Sequence, residues 1–414
     1  MMRELGIRRQ GSGRSAASVG RVRTEPTLLT PVFIRVAIAE LAYFTADGVL
    51  LPALPRYVTG PLGAGNVAVG LVIGAFSVSA FFLRPWAGRA ADRRGRRALM
   101  VVGASLFALS VLGYLVATSV TVLAALRLLT GAGEALFFVG AVSASMDLAP
   151  PERRGEAMSF ASLSLYIGIG AGPFIGEAVV AWGGFTAAWV VAIALGLVAV
   201  GLSLRLPPMR PEPSHGAPAP HRMVHPAGLL PGLVLFAAIW GMGGFLAFVP
   251  LYVGDVGMSS SGAVLGLFGG IVVAIRSLGA RIPDRFGAAV TTRVSLALAA
   301  SGLGLIGLWG SPTGLVAGTV LLGVGVALFT PAVFALAVEG VPADERGAVM
   351  GTTSAFIDLA IGLGPATLGF VAAAVGRGGT FLVGAGVAAA GLALVLVTRL
   401  GVRGERTRPG VGAP

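Results

Sequence analysis

A block of charge recurs in this chain at a fixed distance. Gly88-Arg-Ala-Ala-Asp-Arg-Arg-Gly-Arg-Arg97 lies between two long apolar runs, and a related block follows 192 positions later. Arg84, Arg89, Asp92, Arg93 and Gly95 correspond to Arg276, Arg281, Asp284, Arg285 and Gly287. The same offset pairs Gly131 and Gly133 with Gly323 and Gly325, Asp147 with Glu339, and Gly172-Pro173 with Gly364-Pro365. It also pairs Arg154, Gly155 and Met158 with Arg346, Gly347 and Met350. One spacing held through so many segments means two tandem copies of a single unit. Whatever this chain folds into must be built twice.

The unit is made for lipid. Hydrophobic residues are 55% of the chain, charged residues 12%, and the mean hydropathy is +0.88. A soluble domain carries about 25% charged residues. Twelve mainly apolar spans fall roughly at 31–59, 67–88, 98–118, 120–147, 157–181, 186–204, 229–253, 262–280, 294–311, 313–338, 348–375 and 379–398. Each is long enough to cross a bilayer as a helix. The 64 glycines suit close helix contact in lipid. The chain has no cysteine, and all 30 of its basic residues are arginine. That excludes disulfides, thiol nucleophiles, a Walker A lysine and a Schiff base. No enzyme chemistry and no cofactor are expected.

The net charge of +12 raises the question of nucleic acid, but its placement answers otherwise. Between spans and in the tails, 24 arginines fall on one side and only Arg56 and Arg377 on the other. By the positive-inside rule the Arg-rich side, with both termini, is expected in the cytoplasm. Residues 1–28 form a basic tail without the apolar core of a signal peptide. A bundle is expected at 29–205, a second at 229–400, and a tail at 401–414. Residues 206–228 are a Pro-rich linker holding His215, His221 and His225, a poor metal site with Glu212 as its only acid.

Six spans, a linker and six more with repeated motifs resemble the major facilitator superfamily over nearly the whole chain. Gly88–Arg97 is similar to that family's loop between helices 2 and 3. Arg127 with Gly131 and Gly133 resembles its helix 4 motif. Gly168-Ile-Gly-Ala-Gly-Pro-Phe-Ile-Gly176 resembles the helix 5 motif of the drug/proton antiporter branch, which implies export. The resemblance implies an all-α membrane fold of twelve helices in two pseudo-symmetric six-helix bundles.

The motifs have physical readings of their own. Gly88, Asp92, Arg93 and Gly95, with Asp284 and Arg285, form a candidate charge latch; an acid and two glycines do more than anchor topology. The second copy departs from the first, with Ala280 in the place of Gly88. Gly168, Gly172 and Gly176 share a helix face beside Pro173, a pattern for close contact and a bend. Acids at bilayer depth cost roughly 2.5–3.5 kcal/mol each, so they are the candidate proton and substrate groups. Glu40, Tyr43, Phe44 and Asp47 share one face of the first span, and Arg127, Gly131 and Glu134 one face of the fourth. Their charged members map at the repeat offset onto Gly232, Ile239, Thr319 and Val326, so the first half alone carries this charge. Arg127 is the candidate counter-ion for these acids. Arg84 and Arg276 read as a repeat-matched structural pair, Glu177 as a wet acid at the outer end of the fifth span, and Asp358 as a cavity acid whose repeat partner is Tyr166.

These readings converge on a secondary transporter that exports a small amphipathic or hydrophobic compound in exchange for protons by alternating access. The expected setting is the inner membrane of a prokaryote, as a monomer, with the substrate, protons and lipid as partners. The alternative is a sugar or metabolite transporter on the same scaffold, either an exporter or a proton-independent facilitator.

Overall fold

The computed structural model describes residues 28–150, 153–209, 224–278, 285–342 and 345–398. Among these, ten helices form: α1 Pro31–Thr59, α2 Asn66–Arg94, α3 Arg96–Tyr114, α4 Val120–Leu148, α5 Arg154–Leu204, α6 Pro226–Asp255, α7 Ser261–Leu278, α8 Ala288–Leu308, α9 Pro312–Ala337 and α10 Arg346–Thr398. All ten are long and apolar enough to cross a bilayer. Two are far too long to cross only once. α5 breaks at Gly183 and Gly184, and α10 at Val375 and Gly376. Each break is a reversal. Before it, Gly168, Gly172 and Gly176 lie against Phe44, Gly48 and Val49, so the first arm of α5 runs parallel to α1. After it, Trp189 meets Tyr57 and Tyr114 while Gly196 meets Phe107, so the second arm runs back. With both reversals counted, the described residues cross twelve times, as the apolar spans predict.

The duplication is visible in the backbone. Gly95 and Gly184 take positive φ (87° and 68°), where a Cβ would be strained, and both recur at the repeat offset as Gly287 and Gly376 (83° and 79°). Gly95 ends α2 and opens α3, turning the charged block between two antiparallel helices. Helix packing repeats too. Gly133 of α4 presses on Gly103 of α3, and Gly325 of α9 presses on Ser295 of α8 in the same manner.

Few side chains separate α1 from α5. A Cβ on Gly172 would stand 2.5 Å from Gly48 Cα, and one on Gly168 would stand 2.7 Å from Thr45 N. Pro173 lies in the same helix, in its first arm. The two halves then meet along two helix pairs. α2 runs against the first arm of α10, with Gly70 on Pro365 and Gly74 on Gly362. The first arm of α5 runs against α7, with Gly170 on Gly269 and Phe174 on Gly266.

Of the linker, residues 210–223 lie outside the described residues, and with them His215 and His221. His225 is a helix cap: its Nδ1 accepts from Ala227 N at 3.3 Å, and its Nε2 faces Glu345 at 3.4 Å.

Because backbone faces backbone at Gly172, Gly172→Val is expected to lower stability by about 1–3 kcal/mol, the usual range for overpacking. Gly88→Ala, inside α2 with its Cβ in open space, should raise the melting temperature slightly, since Ala favours the helix by about 0.5–1 kcal/mol. Thermal unfolding of the detergent-solubilised protein, followed by size-exclusion chromatography, checks both.

Candidate functional site

Arg84 sits between the halves. Its Nη2 lies 3.0 Å from Glu134 Oε1 on α4 and 3.1 Å from Asp358 Oδ1 on α10. The guanidinium also lies over the Phe138 ring, 4.8 Å from its centre. Both carboxylates are nearly sealed from solvent, their side chains 8% and 7% exposed. One cation therefore ties α2 and α4 of the first half to α10 of the second. It is also where the α2–α10 seam ends: Asn66, Gly70, Gly74 and Ser77 all touch α10, whereas Gly88 has open space beside it.

Glu134 thus pairs with Arg84 of the neighbouring helix, and the expectation that Arg127 would be its counter-ion is corrected. The reason is packing: α2 brings Arg84 within 3.0 Å of Glu134, while Arg127 turns toward α1. Arg127 faces Asp47 instead, with Nη1 3.9 Å from Oδ1, too long for a hydrogen bond. Asp47 Oδ1 and Arg127 Nε and Nη1 are buried without any hydrogen-bond partner. Arg127 rests on the Phe76 ring at 4.7 Å. Glu40 is 1% exposed, and its Oε2 has no partner. Tyr43 stacks on Phe137 with ring centres 4.1 Å apart, within electrostatic range of Glu134, Asp47 and Arg127. Asp47 of α1, Arg84 of α2 and Arg127 and Glu134 of α4 thus form one polar cluster, completed by Asp358 from the other half, while Glu40 is buried apart from it.

The charged block forms a network within one half. Asp92 Oδ1 accepts from Arg96 Nη1 at 2.8 Å, and Asp147 Oδ2 accepts from Arg96 Nε at 3.0 Å. The cation on Asp92 is Arg96, while Arg93 is exposed beside Trp86 and Arg89. Gly95 supplies the turn that brings Asp92 and Arg96 together. In the second copy, Asp284 lies outside the described residues, and Arg285 lies 5.6 Å from the Phe286 ring centre.

The opposite face is shut by residues that look unremarkable in the sequence. Glu177 is no free wet acid. Its Oε1 accepts from Arg56 Nη2 at 2.7 Å and from Ser261 N at 3.0 Å; its Oε2 accepts from Ser260 Oγ and Gly262 N, both at 2.6 Å. It caps the N-terminus of α7 from the other half, where the helix dipole favours an anion. Arg56 also donates to Pro250 O and Ser261 Oγ. Arg377 reaches Asp255 at 2.7 Å and Asn66 at 3.3 Å. The two arginines on the Arg-poor side are thus the two that close it, and that scarcity was the available signal.

On the Arg-rich side the halves part. A cavity of about 560 Å³ opens between α5 of one half and α7 and α9 of the other, lined by Leu163, Tyr166, Ile275, Arg276, Leu328 and Pro331 among others. The conformation is closed on one face and open on the other.

Arg84→Gln strands two buried carboxyl groups and is expected to destabilise by roughly 3–5 kcal/mol, read as a lower melting temperature. Neutralising Glu134 and Asp358 in the same background should recover most of that loss. Glu177→Gln should loosen the closed face. A cysteine at Ala366→Cys, packed beside Gly74 in a chain without other cysteines, should then react faster with an impermeant maleimide applied from that face.

Comparison with known proteins agrees with this architecture. A family model described as Major Facilitator Superfamily matches residues 36–313 and 284–413. An uncharacterized MFS-type transporter of Pseudomonas aeruginosa strain PAO1 is 31% identical over 367 residues, covering 86% of this chain and 90% of that protein. The uncharacterized MFS-type transporter YhhS of Escherichia coli K12 is 29% identical over 375 residues, covering 89% and 92%. Among solved structures, the nucleoside transporter NupG superposes with a TM-score of 0.73 at 14% identity, covering 88% of this chain and 99% of that one. The human organic anion transporter MFSD10 superposes at 0.65 with 22% identity, covering 88% and 98%. At these identities the structures speak to the fold alone.

Proposed function

Because this chain belongs to the major facilitator superfamily and is built as a membrane transporter, we propose that it exports a small amphipathic compound in exchange for protons. The observation that carries this reading is the buried cluster in which Arg84 is shared by Glu134 and Asp358 across the halves. In the proposed cycle, the substrate enters the cavity from the Arg-rich side, taken as the cytoplasm. The halves rock about the seams α2–α10 and α5–α7, opening the clamps at Arg56–Glu177 and Arg377–Asp255. Protons from outside reach Asp47, Glu134 and Asp358 in that second state and leave to the cytoplasm after return. A proton on Glu134 or Asp358 removes one of the two ties on Arg84, which links proton occupancy to the contact between halves. Each proton descending 100 mV supplies about 2.3 kcal/mol, sufficient to bias a two-state equilibrium nearly fiftyfold.

In this scheme Asp92, Arg93 and Gly95 belong to the Arg-rich gate of the alternate state, with Gly88 supplying the smooth surface for closure. Asp284 and Arg285 are assigned the equivalent part in the second copy. Gly168, Gly172, Pro173 and Gly176 hold α5 against α1, so that the pair moves as one body. Glu40 and Arg127 tune the protonation of Asp47. The cavity walls support an amphipathic cargo over a sugar: among the described residues, Ser162 and Ser277 are their only hydroxyl groups besides Tyr166, too few for a polyol. We further propose that the protein works as a monomer in the bacterial inner membrane with both termini in the cytoplasm.

The test is flux in proteoliposomes with and without an imposed pH gradient, across a panel of amphipathic compounds. Wild type should accumulate substrate against its gradient only when protons run the other way. Asp47→Asn should retain substrate exchange while losing gradient-driven accumulation at least tenfold. Equal accumulation by the variant would remove Asp47 from the scheme, and flux indifferent to pH would favour a facilitator.

A further inference from the structure

The two seams end alike in geometry and unlike in charge. On α2–α10, Arg84 meets Asp358 and Glu134. On α5–α7, the residue at the equivalent place is Arg276, its repeat counterpart. Its neighbour across the seam is Tyr166, the counterpart of Asp358, and the guanidinium lies over that ring at 4.3 Å. The counterpart of Glu134 is Val326, buried and apolar. The α5–α7 seam thus keeps the cation but has Tyr166 and Val326, which carry no charge, at the places of the two carboxylates. Arg276 Nε and Nη2 are buried without a hydrogen-bond partner, and no ion pair to Arg276 forms among the described residues.

This unsatisfied cation lines the open cavity. Among the described residues, the other charged side chain in that lining is Glu156, held by Arg153 at 2.8 Å. Arg276 is half-buried, and its two buried N–H groups are costly unless an acceptor meets them; its planar fork suits a carboxylate, sulfonate or phosphate. Around it the walls are apolar: Met158, Leu163, Ile275, Leu328 and Pro331. The geometry points to an organic anion with an apolar body as the substrate, its anionic group on Arg276 where Arg84 has its carboxylates. This assignment rests on the transport reading and narrows it from amphipathic compounds to anionic ones.

Equilibrium binding to the full-length purified protein, without any gradient, tests it apart from proton coupling. The probes are naphthalene-2-sulfonate, which keeps its charge at all working pH values, 2-naphthalenemethanol and 2-naphthylmethylammonium, measured by isothermal calorimetry. Wild type should bind the sulfonate at least tenfold tighter than either analogue. Arg276→Gln should weaken the sulfonate at least tenfold and leave the alcohol unchanged, with Arg276→Lys intermediate. Tyr166→Asp plants the missing carboxylate beside Arg276 and should abolish the preference with the arginine still present. Should Arg276→Gln fail to give a monodisperse protein, the probe series on wild type and Tyr166→Asp decide the question. Equal binding of all three probes, tighter binding of the ammonium, or full sulfonate affinity in Tyr166→Asp would overturn the assignment. So would loss of sulfonate binding in phosphatidylglycerol nanodiscs with its retention in phosphatidylcholine, since a lipid headgroup would then be the occupant. Anion binding together with flux indifferent to pH would leave this assignment standing and defeat only proton exchange.

Discussion

A charge buried at bilayer depth must find an opposite charge, and in this protein the partner of a first-half arginine comes partly from the second half. Arg84 is held by Glu134 of its own bundle and by Asp358 of the other. Removing either side of such a contact leaves an unpaired charge in a medium of low dielectric. The relative placement of the bundles is therefore bound to the charge state of two carboxyl groups. The glycine seams on either side make this possible. With so little side-chain bulk at Gly70, Gly74, Gly170 and Gly269, the two bodies meet on smooth backbone surfaces, where relative rotation disturbs few interlocked side chains.

The closed face relies on different physics. There the polar groups sit at helix ends, and the clamp is a helix cap made between halves, with Glu177 on the first turn of α7. Such a contact is strong when water is excluded and weakens when water enters, so it behaves as an on-or-off closure. The Asp92–Arg96–Asp147 network differs again, because it lies wholly inside one bundle and braces three helix ends against one another.

Much of the fold was legible in the sequence because lipid leaves the backbone few choices. The length of the apolar runs fixes the crossings, and the offset fixes the duplication, down to the turn glycines. The pairing of charges was less legible. Arg127, Gly131 and Glu134 do share a helix face, but a shared face says nothing of which neighbour brings the counter-charge. That neighbour, α2, is set by tertiary packing. Arg84 looked like an anchor because it is repeat-matched, yet its environment differs from that of Arg276 through positions 134 and 358, far away in sequence. Glu177 looked wet because it stands near a span end; its ligands come from a helix start more than eighty residues on.

The reversals at Gly184 and Gly376 have a consequence for anything that must take hold of this molecule from outside. Successive crossings there join with hardly a residue between them, and the longest connection on that face is the short stretch 60–65. It offers almost nothing to a protease, an antibody loop or a tethered sugar chain. Handles for a designed binder or a fused reporter lie on the arginine-bearing face, and a ligand meant to act from the other must be small enough to slip between closely seated helix ends.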